Sequence, residues 1–89
     1  MTKEEAESLS IALLQIVAKL NQSAAFVRDR DDEENWDKYR DAVGRAMAAV
    51  FLDLEEPLWA RFPDLRPEYL DGPYKTDPAI YEPYFYNPE

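Results

Sequence analysis

The chain has 89 residues, a formal net charge of −9 at pH 7, and neither cysteine nor histidine. This length makes a single small domain over residues 1–89, whose core often needs a staple. A disulfide and a common zinc site are both excluded by composition, so we expect self-association or a segment that wraps the helices. The acidic balance disfavours nucleic acids and anionic membranes as partners, because both attract clustered Lys and Arg.

The first predicted element is a helix over residues 2–28. Thr2 and Glu5 have the spacing of a capping box, which is typical of a helix start. Apolar residues then recur at helical spacing on two nearly opposite faces. A helix with two apolar faces needs two partners, so we expect the second face to meet either another subunit or the C-terminal segment. The first face carries Leu9, Leu13, Ile16, Leu20, Ala24 and Val27, and the second carries Ile11, Leu14, Ala18 and Ala25.

A charged break over residues 28–34 separates this helix from a second one, predicted over residues 31–56. Asp31 or Asp32 can cap the second helix. Because the break is short, the two helices are expected to form an antiparallel hairpin. The apolar face of the second helix carries Trp36, Tyr39, Val43, Met47, Val50, Phe51 and Leu54, and its polar face includes Glu55 and Glu56.

The last third of the chain has a different composition. All seven prolines and eight of the twelve aromatic residues follow Glu56. Regular helices and central strands cannot absorb so many prolines. We therefore predict short helical turns over residues 57–70 and a proline- and tyrosine-rich tail over residues 71–89. Each aromatic side chain can bury about 150–250 Å², so the tail is predicted to pack back onto the helices.

Catalytic and metal-binding patterns are not matched. Aligned at Asp29, a calcium loop of the EF-hand type needs glycine at position 34 and glutamate at position 40, where this chain has Glu34 and Arg40. No histidine is present to activate a serine, and no glycine-rich loop is present to hold a phosphate. We therefore expect no enzyme activity, no metal and no cofactor.

The sequence thus predicts an all-α fold, an antiparallel two-helix hairpin that carries its C-terminal segment and dimerises into a four-helix bundle. Excess apolar surface without catalytic groups favours a non-catalytic protein-interaction module, such as an adaptor, accessory subunit or regulator of another protein. The candidate protein interface consists of Ile11, Leu14, Ala18, Trp59, Tyr81, Tyr84, Phe85 and Tyr86.

Two other functions stay open. An acidic inhibitor or immunity-type protein could occupy a basic site of an effector or of a nucleic-acid-binding protein, because ordered carboxylates engage Arg and Lys. A small-ligand protein or enzyme could use a cavity between helices and tail. The candidate acidic surface consists of Asp32, Glu33, Glu34, Asp37 and Asp41.

The N-terminal residues bear on localisation. Residues 1–7 are acidic where a signal peptide would be basic, and no uninterrupted apolar run reaches the roughly 18 residues of a membrane span. We therefore expect a soluble cytoplasmic protein.

Overall fold

The structure is a computed structural model that describes residues 1–87; residues 88 and 89 of the predicted tail lie outside it. The chain forms an all-α hairpin, and residues 1–87 contain no β-strand. Two long helices, α1 and α2, pack against each other and are followed by short helical pieces. In chain order the elements are α1 (Lys3–Arg30), α2 (Glu33–Ala49), a π-helical segment (Val50–Glu55), α3 (Glu56–Arg61) and three 3₁₀ turns (Pro63–Leu65, Glu68–Leu70 and Pro78–Tyr81).

Side-chain caps define where both long helices begin. The Thr2 hydroxyl accepts from the Glu5 backbone N–H at 3.1 Å, and the Glu5 carboxylate accepts from the Thr2 N–H at 2.7 Å. At the start of α2, the Asp32 carboxylate accepts from the Asn35 N–H at 2.8 Å. These bonds satisfy N–H groups that have no partner within the helix. Only residues 31 and 32 separate the helices, so the chain reverses at once and the hairpin is antiparallel.

The helical path continues past Glu56, the predicted end of the second helix, and reaches Arg61 through the π-helical segment and α3. A proline removes one N–H and its ring collides with the carbonyl four residues earlier. Here the Glu56 N–H donates to the Phe51 carbonyl, five residues back. This wider turn lets Pro57 follow in the first turn of α3. The π-helical segment thus carries the helix past a proline that would otherwise end it.

The core joins the two ends of the chain. Its centre is a cluster of buried residues from α1, α3 and the first 3₁₀ turn. Trp59 is the largest of them, and its indole Nε1–H donates to the Ser10 hydroxyl at 3.0 Å. Side chains that follow the first 3₁₀ turn, including Tyr74 and Ile80, pack against this cluster, so residues far apart in sequence complete it. The cluster consists of Ala6, Leu14, Leu58, Trp59 and Leu65.

The tail runs alongside α1 in the same direction. Successive hydrogen bonds join later tail residues to later residues of α1, which shows that the tail is parallel to α1 and antiparallel to α2. It covers one side of α1, including the half-buried Ile11 and Ala18. The bonds run from the Tyr74 hydroxyl to the Glu7 carboxylate (2.7 Å), from the Gln15 amide to the Ile80 carbonyl (2.7 Å) and from the Phe85 N–H to the Gln22 side-chain oxygen (2.6 Å).

Two glycines allow a matched test of how closely the chain approaches itself at Gly72. A Cβ on Gly72 would lie 2.0 Å from the Arg66 carbonyl oxygen, whereas a Cβ on Gly44 would meet nothing within 4 Å. We expect Gly72→Ala to lower the free energy of unfolding by about 1–3 kcal/mol through overpacking. Gly44→Ala in α2 should raise it by up to about 1 kcal/mol, since alanine favours helix more than glycine does. Urea unfolding of both variants measures the difference, and equal effects would contradict the close approach at Gly72.

α1 is long and apolar enough to cross a membrane by length and composition, with an 18-residue window of mean hydropathy 1.3. This differs from the expectation based on uninterrupted apolar runs, because the window tolerates two charged residues. Mostly buried core helices of soluble proteins and N-terminal signal sequences pass the same test, and 22% of this window is buried. Here α1 packs against α2 and the last 3₁₀ turn, so its hydropathy does not by itself indicate a membrane span.

Candidate functional site

One side of α1 is left uncovered by both α2 and the tail. Leu9 is 42% exposed and Ile16 is 48% exposed. Helical spacing places Ala12 and Leu20 on the same side. Tyr39 of α2 borders this surface, where Ala12, Ile16, Leu20 and Tyr39 help to line a shallow cleft of about 570 Å³. We call Leu9, Ala12, Ile16, Leu20 and Tyr39 the open face.

Small residues extend the open face along α2. The Tyr39 hydroxyl donates to the Ser23 hydroxyl of α1 at 2.9 Å, which directs this side of α2 toward the open face. Ala42, Ala46 and Ala49 follow Tyr39 at spacings of three, four and three residues, and therefore lie on the same side of α2. Side chains this small allow another helix to approach the α2 backbone closely.

A second concave surface, which we call the tail groove, lies between the hairpin and the tail on the other side of α1. Its volume is also about 570 Å³. Among the described residues that line it, none is charged. The lining residues are Leu14, Val17, Ala18, Asn21, Gln22, Met47, Phe51, Tyr69, Tyr81, Tyr84, Tyr86 and Asn87.

The end of the tail is clamped to the last turns of α1. The Tyr86 hydroxyl donates to the Asp29 carboxylate at 2.6 Å and accepts from Arg30 at 3.2 Å. Hydrogen bonds from Arg28 and then from Tyr86 lower the pKa of Asp29. The Phe26 ring meets the Tyr86 ring edge-on, with centroids 5.4 Å apart. Tyr86 therefore holds the tail in place and is half-buried.

The structure divides the candidate protein interface into inaccessible and accessible parts. Leu14 and Trp59 are each 2% exposed and belong to the core, so they present no surface to a partner. Tyr81 is half-buried and packs against that core. Tyr84 and Phe85 are 49% and 57% exposed. Of the aromatic candidates, these two present the most surface.

Sequence reasoning missed the open face. It expected Leu9 and Ile16 to point inward with Leu13, because the three share an apolar stripe. In the structure, Leu13 is buried while Leu9 and Ile16 are exposed. The buried residues of α1 lie between the two apolar faces, so half of the first face is not covered and stays exposed to solvent. No signal in the sequence distinguishes the two halves, since both consist of aliphatic residues.

All five residues of the candidate acidic surface are exposed, and three of them already interact within their own helix. The exposed pairs among them have little effect on stability, because water and salt screen them. The interactions are the Asp32 cap on Asn35, the Glu34–Lys38 ion pair (3.4 Å) and the Asp37–Arg40 ion pair (3.3 Å), while Glu33 and Asp41 appear in none of these ion pairs.

Glu55 is the most unusual ionisable residue in the described part of the chain. Its side chain is fully buried, and neither carboxylate oxygen has a hydrogen-bond partner there. Burial raises the pKa of Glu55 to about 7. The nearby Ser10 hydroxyl lowers this pKa in part, although it does not form a hydrogen bond of standard geometry with the carboxylate. Helical periodicity placed Glu55 on the polar face of the second helix, which is wrong. The π-helical segment contains more residues per turn, so the positions after Ala49 are rotated relative to the regular helical period, and Glu55 is turned inward.

Within residues 1–87, no group of three or more acidic residues is arranged to hold a metal ion. The exposed surfaces of the molecule are the open face, the tail groove with its aromatic rim, and the acidic start of α2. Comparison of the chain with models of protein families, with curated proteins and with solved structures found no match.

Proposed function

We propose that this protein is a non-catalytic, cytoplasmic interaction module that forms a homodimer through its open face and presents the tail side to another protein. The observation that supports it is the exposed aliphatic stripe on α1, headed by Leu9 and Ile16, next to a tail that covers the other side of the same helix. An adaptor, an accessory subunit and a regulator all fit this description.

The size of the core favours self-association. Within residues 1–87, only eight hydrophobic side chains are buried, which is little for a domain that must offset the loss of chain entropy. Burial of apolar surface stabilises by roughly 25 cal/mol per Å², so a second copy placed over the stripe enlarges the core. A two-fold axis that sets α1 of one copy against the alanine edge of α2 in the other produces a four-helix bundle.

A single substitution tests the dimer. Ile16→Lys puts a charge at the centre of the open face, and in a symmetric dimer both copies carry it. We expect roughly tenfold weaker association per copy, or about 100-fold for the dimer, from about 1.4 kcal/mol each. Size exclusion with light scattering measures the mass across a dilution series. Leu52→Lys is the control, because Leu52 is 66% exposed but lies outside the cleft.

The experiment tests the existence of the dimer and its interface separately. A wild-type chain that stays monomeric at micromolar concentration refutes the dimer. A dimer that weakens equally with Ile16→Lys and Leu52→Lys refutes the open face as its interface, whereas loss with Ile16→Lys alone supports the proposal.

For the partner protein, the exposed rings of Tyr84 and Phe85 beside an uncharged groove favour an apolar and aromatic contact. Binding of this kind depends weakly on salt. The competing acidic-inhibitor function uses exposed Glu33 and Asp41, and its affinity would fall steeply as salt rises. The salt dependence of a purified complex therefore separates the two functions.

A further inference from the structure

Glu55 is enclosed by three separate parts of the chain. Ser10 of α1 faces it, and its hydroxyl already accepts a hydrogen bond from Trp59 of α3. The 3₁₀ turns contribute Tyr69 and Tyr81. Tyr81 packs against the core cluster, whereas Tyr69 is 61% exposed. Burial is the main cause that raises the pKa of both tyrosines, and the charge of the Glu55 carboxylate raises both pKa values further.

Within residues 1–87, none of the ion pairs includes this carboxylate. Arg66 is engaged by Glu56 at 2.9 Å, and the hydroxyl of Tyr74 is engaged by Glu7. Two influences set the pKa of Glu55: its burial, which raises the pKa, and the Ser10 hydroxyl, which lowers it. A buried carboxyl without a hydrogen bond is tolerated when it is protonated and strongly disfavoured when it is ionised.

We propose that Glu55 is a pH-sensitive latch for the tail: when protonated it lies in a core closed by residues 69–81, and when ionised it draws water in and displaces that segment from α1. The latch does not depend on the proposed dimer, since the open face lies on the other side of α1.

The tail is the layer that moves, because it is held more weakly than the hairpin. The 3₁₀ turns are short and have poorer hydrogen-bond geometry than α-helices. Single side-chain hydrogen bonds, such as Gln15 to Ile80 and Tyr74 to Glu7, and a few half-buried side chains join the tail to α1 and the core. Segments with few buried contacts and isolated hydrogen bonds open before the helices that support them.

The direction of the pH effect follows from the raised pKa. The closed state binds the Glu55 proton up to a pKa of about 7, whereas a solvated glutamate loses it near its ordinary value of 4.5. The closed state is therefore fully stabilised below pH 4.5. It loses this stability progressively as the pH rises from 4.5 through about 7, because the open state binds fewer protons over that interval.

The fluorescence of Trp59 reports the opening, since this indole is buried beneath the tail and bonded to Ser10. A Trp36→Phe background leaves Trp59 as the only tryptophan. We expect acrylamide quenching of Trp59 to increase severalfold with a midpoint near pH 7, while far-UV circular dichroism keeps the helical signal of α1 and α2. In Glu55→Gln, which cannot ionise, Trp59 should stay shielded over the same range.

Three results would overturn the latch. Trp59 that stays shielded to about pH 8.5 shows that ionisation does not open the tail. Loss of the helical signal with the same midpoint shows global unfolding instead. A Glu55→Gln variant that opens with the wild-type midpoint assigns the transition to another group. Glu55→Met, an apolar side chain of similar length, repeats the comparison if the glutamine variant does not fold.

Discussion

Replacing Trp59 with alanine is expected to lower the free energy of unfolding by about 3–5 kcal/mol, the range for large-to-alanine changes in cores. The indole is 2% exposed, lies at the centre of the core cluster and meets the Phe51 ring with centroids 6.3 Å apart. Its removal also leaves the Ser10 hydroxyl without its donor next to Glu55. A domain of this size is typically stable by about 4–13 kcal/mol, so this loss is a large fraction of the total stability.

Trp36→Ala is the matched control, because it removes the same side chain from α2. Trp36 is half-buried and has the Arg40 guanidinium 5.8 Å from its ring centroid. We expect a loss of about 1 kcal/mol, typical of a single substitution outside the core. Urea unfolding followed by circular dichroism compares the two variants. Similar losses for both would show that Trp59 is not the centre of the core.

Ending the chain after Gly72 is expected to lower the free energy of unfolding by about 3 kcal/mol or more. The truncation removes Tyr74, Ile80 and Tyr81, which pack against the core cluster, and it exposes the tail side of α1. Each such side chain contributes about 1.5–3 kcal/mol when fully buried. They are half-buried here, and the entropy cost of ordering the tail offsets part of the gain. With about 4–8 °C per kcal/mol in a domain this small, the melting temperature should fall by about 12–24 °C.

A chain that ends after Tyr81 separates the two halves of the tail. It keeps the three side chains that contact the core. It loses the clamp formed by Tyr86 with Asp29 and Arg30, the Phe85–Gln22 hydrogen bond and the contacts of two tail rings with Phe26. We expect most of the stability to remain, because Phe85 is 57% exposed and the Tyr86 clamp is screened by solvent. Scanning calorimetry of both truncations and the full chain measures the contrast. If the Gly72 truncation melts like the full chain, the tail contributes nothing to the core.

The sequence predicts the hairpin well because local signals define it. Thr2 and Asp32 satisfy N–H groups within their own first turns, and their role depends only on residues three positions away. The helical period of the apolar residues and the short break around Asp31 then leave an antiparallel pair as the natural arrangement. Similarly, prolines and aromatic residues after Glu56 rule out a third long helix.

The candidate site was less predictable, because it depends on which apolar side is covered. Leu9, Ile16 and Leu14 are chemically alike, and spacing alone assigns them to faces without stating what packs on each. α3 and the first 3₁₀ turn bury Leu14, and the parallel course of the tail covers a side of α1 away from Ile16, which stays exposed. That course depends on bonds such as Gln15 to Ile80, between residues more than sixty positions apart, which no local pattern encodes.

Caps, helical period and proline placement, each effective within a few residues, were enough to determine two antiparallel helices and an irregular C-terminal third. Tertiary structure alone decided the inward rotation of Glu55 and Trp59 and the uncovered stripe on α1. The physical reason is that a single π-helical segment rotates everything after it relative to the regular helical period, and the choice of buried face depends on competition among distant segments for the same apolar surface.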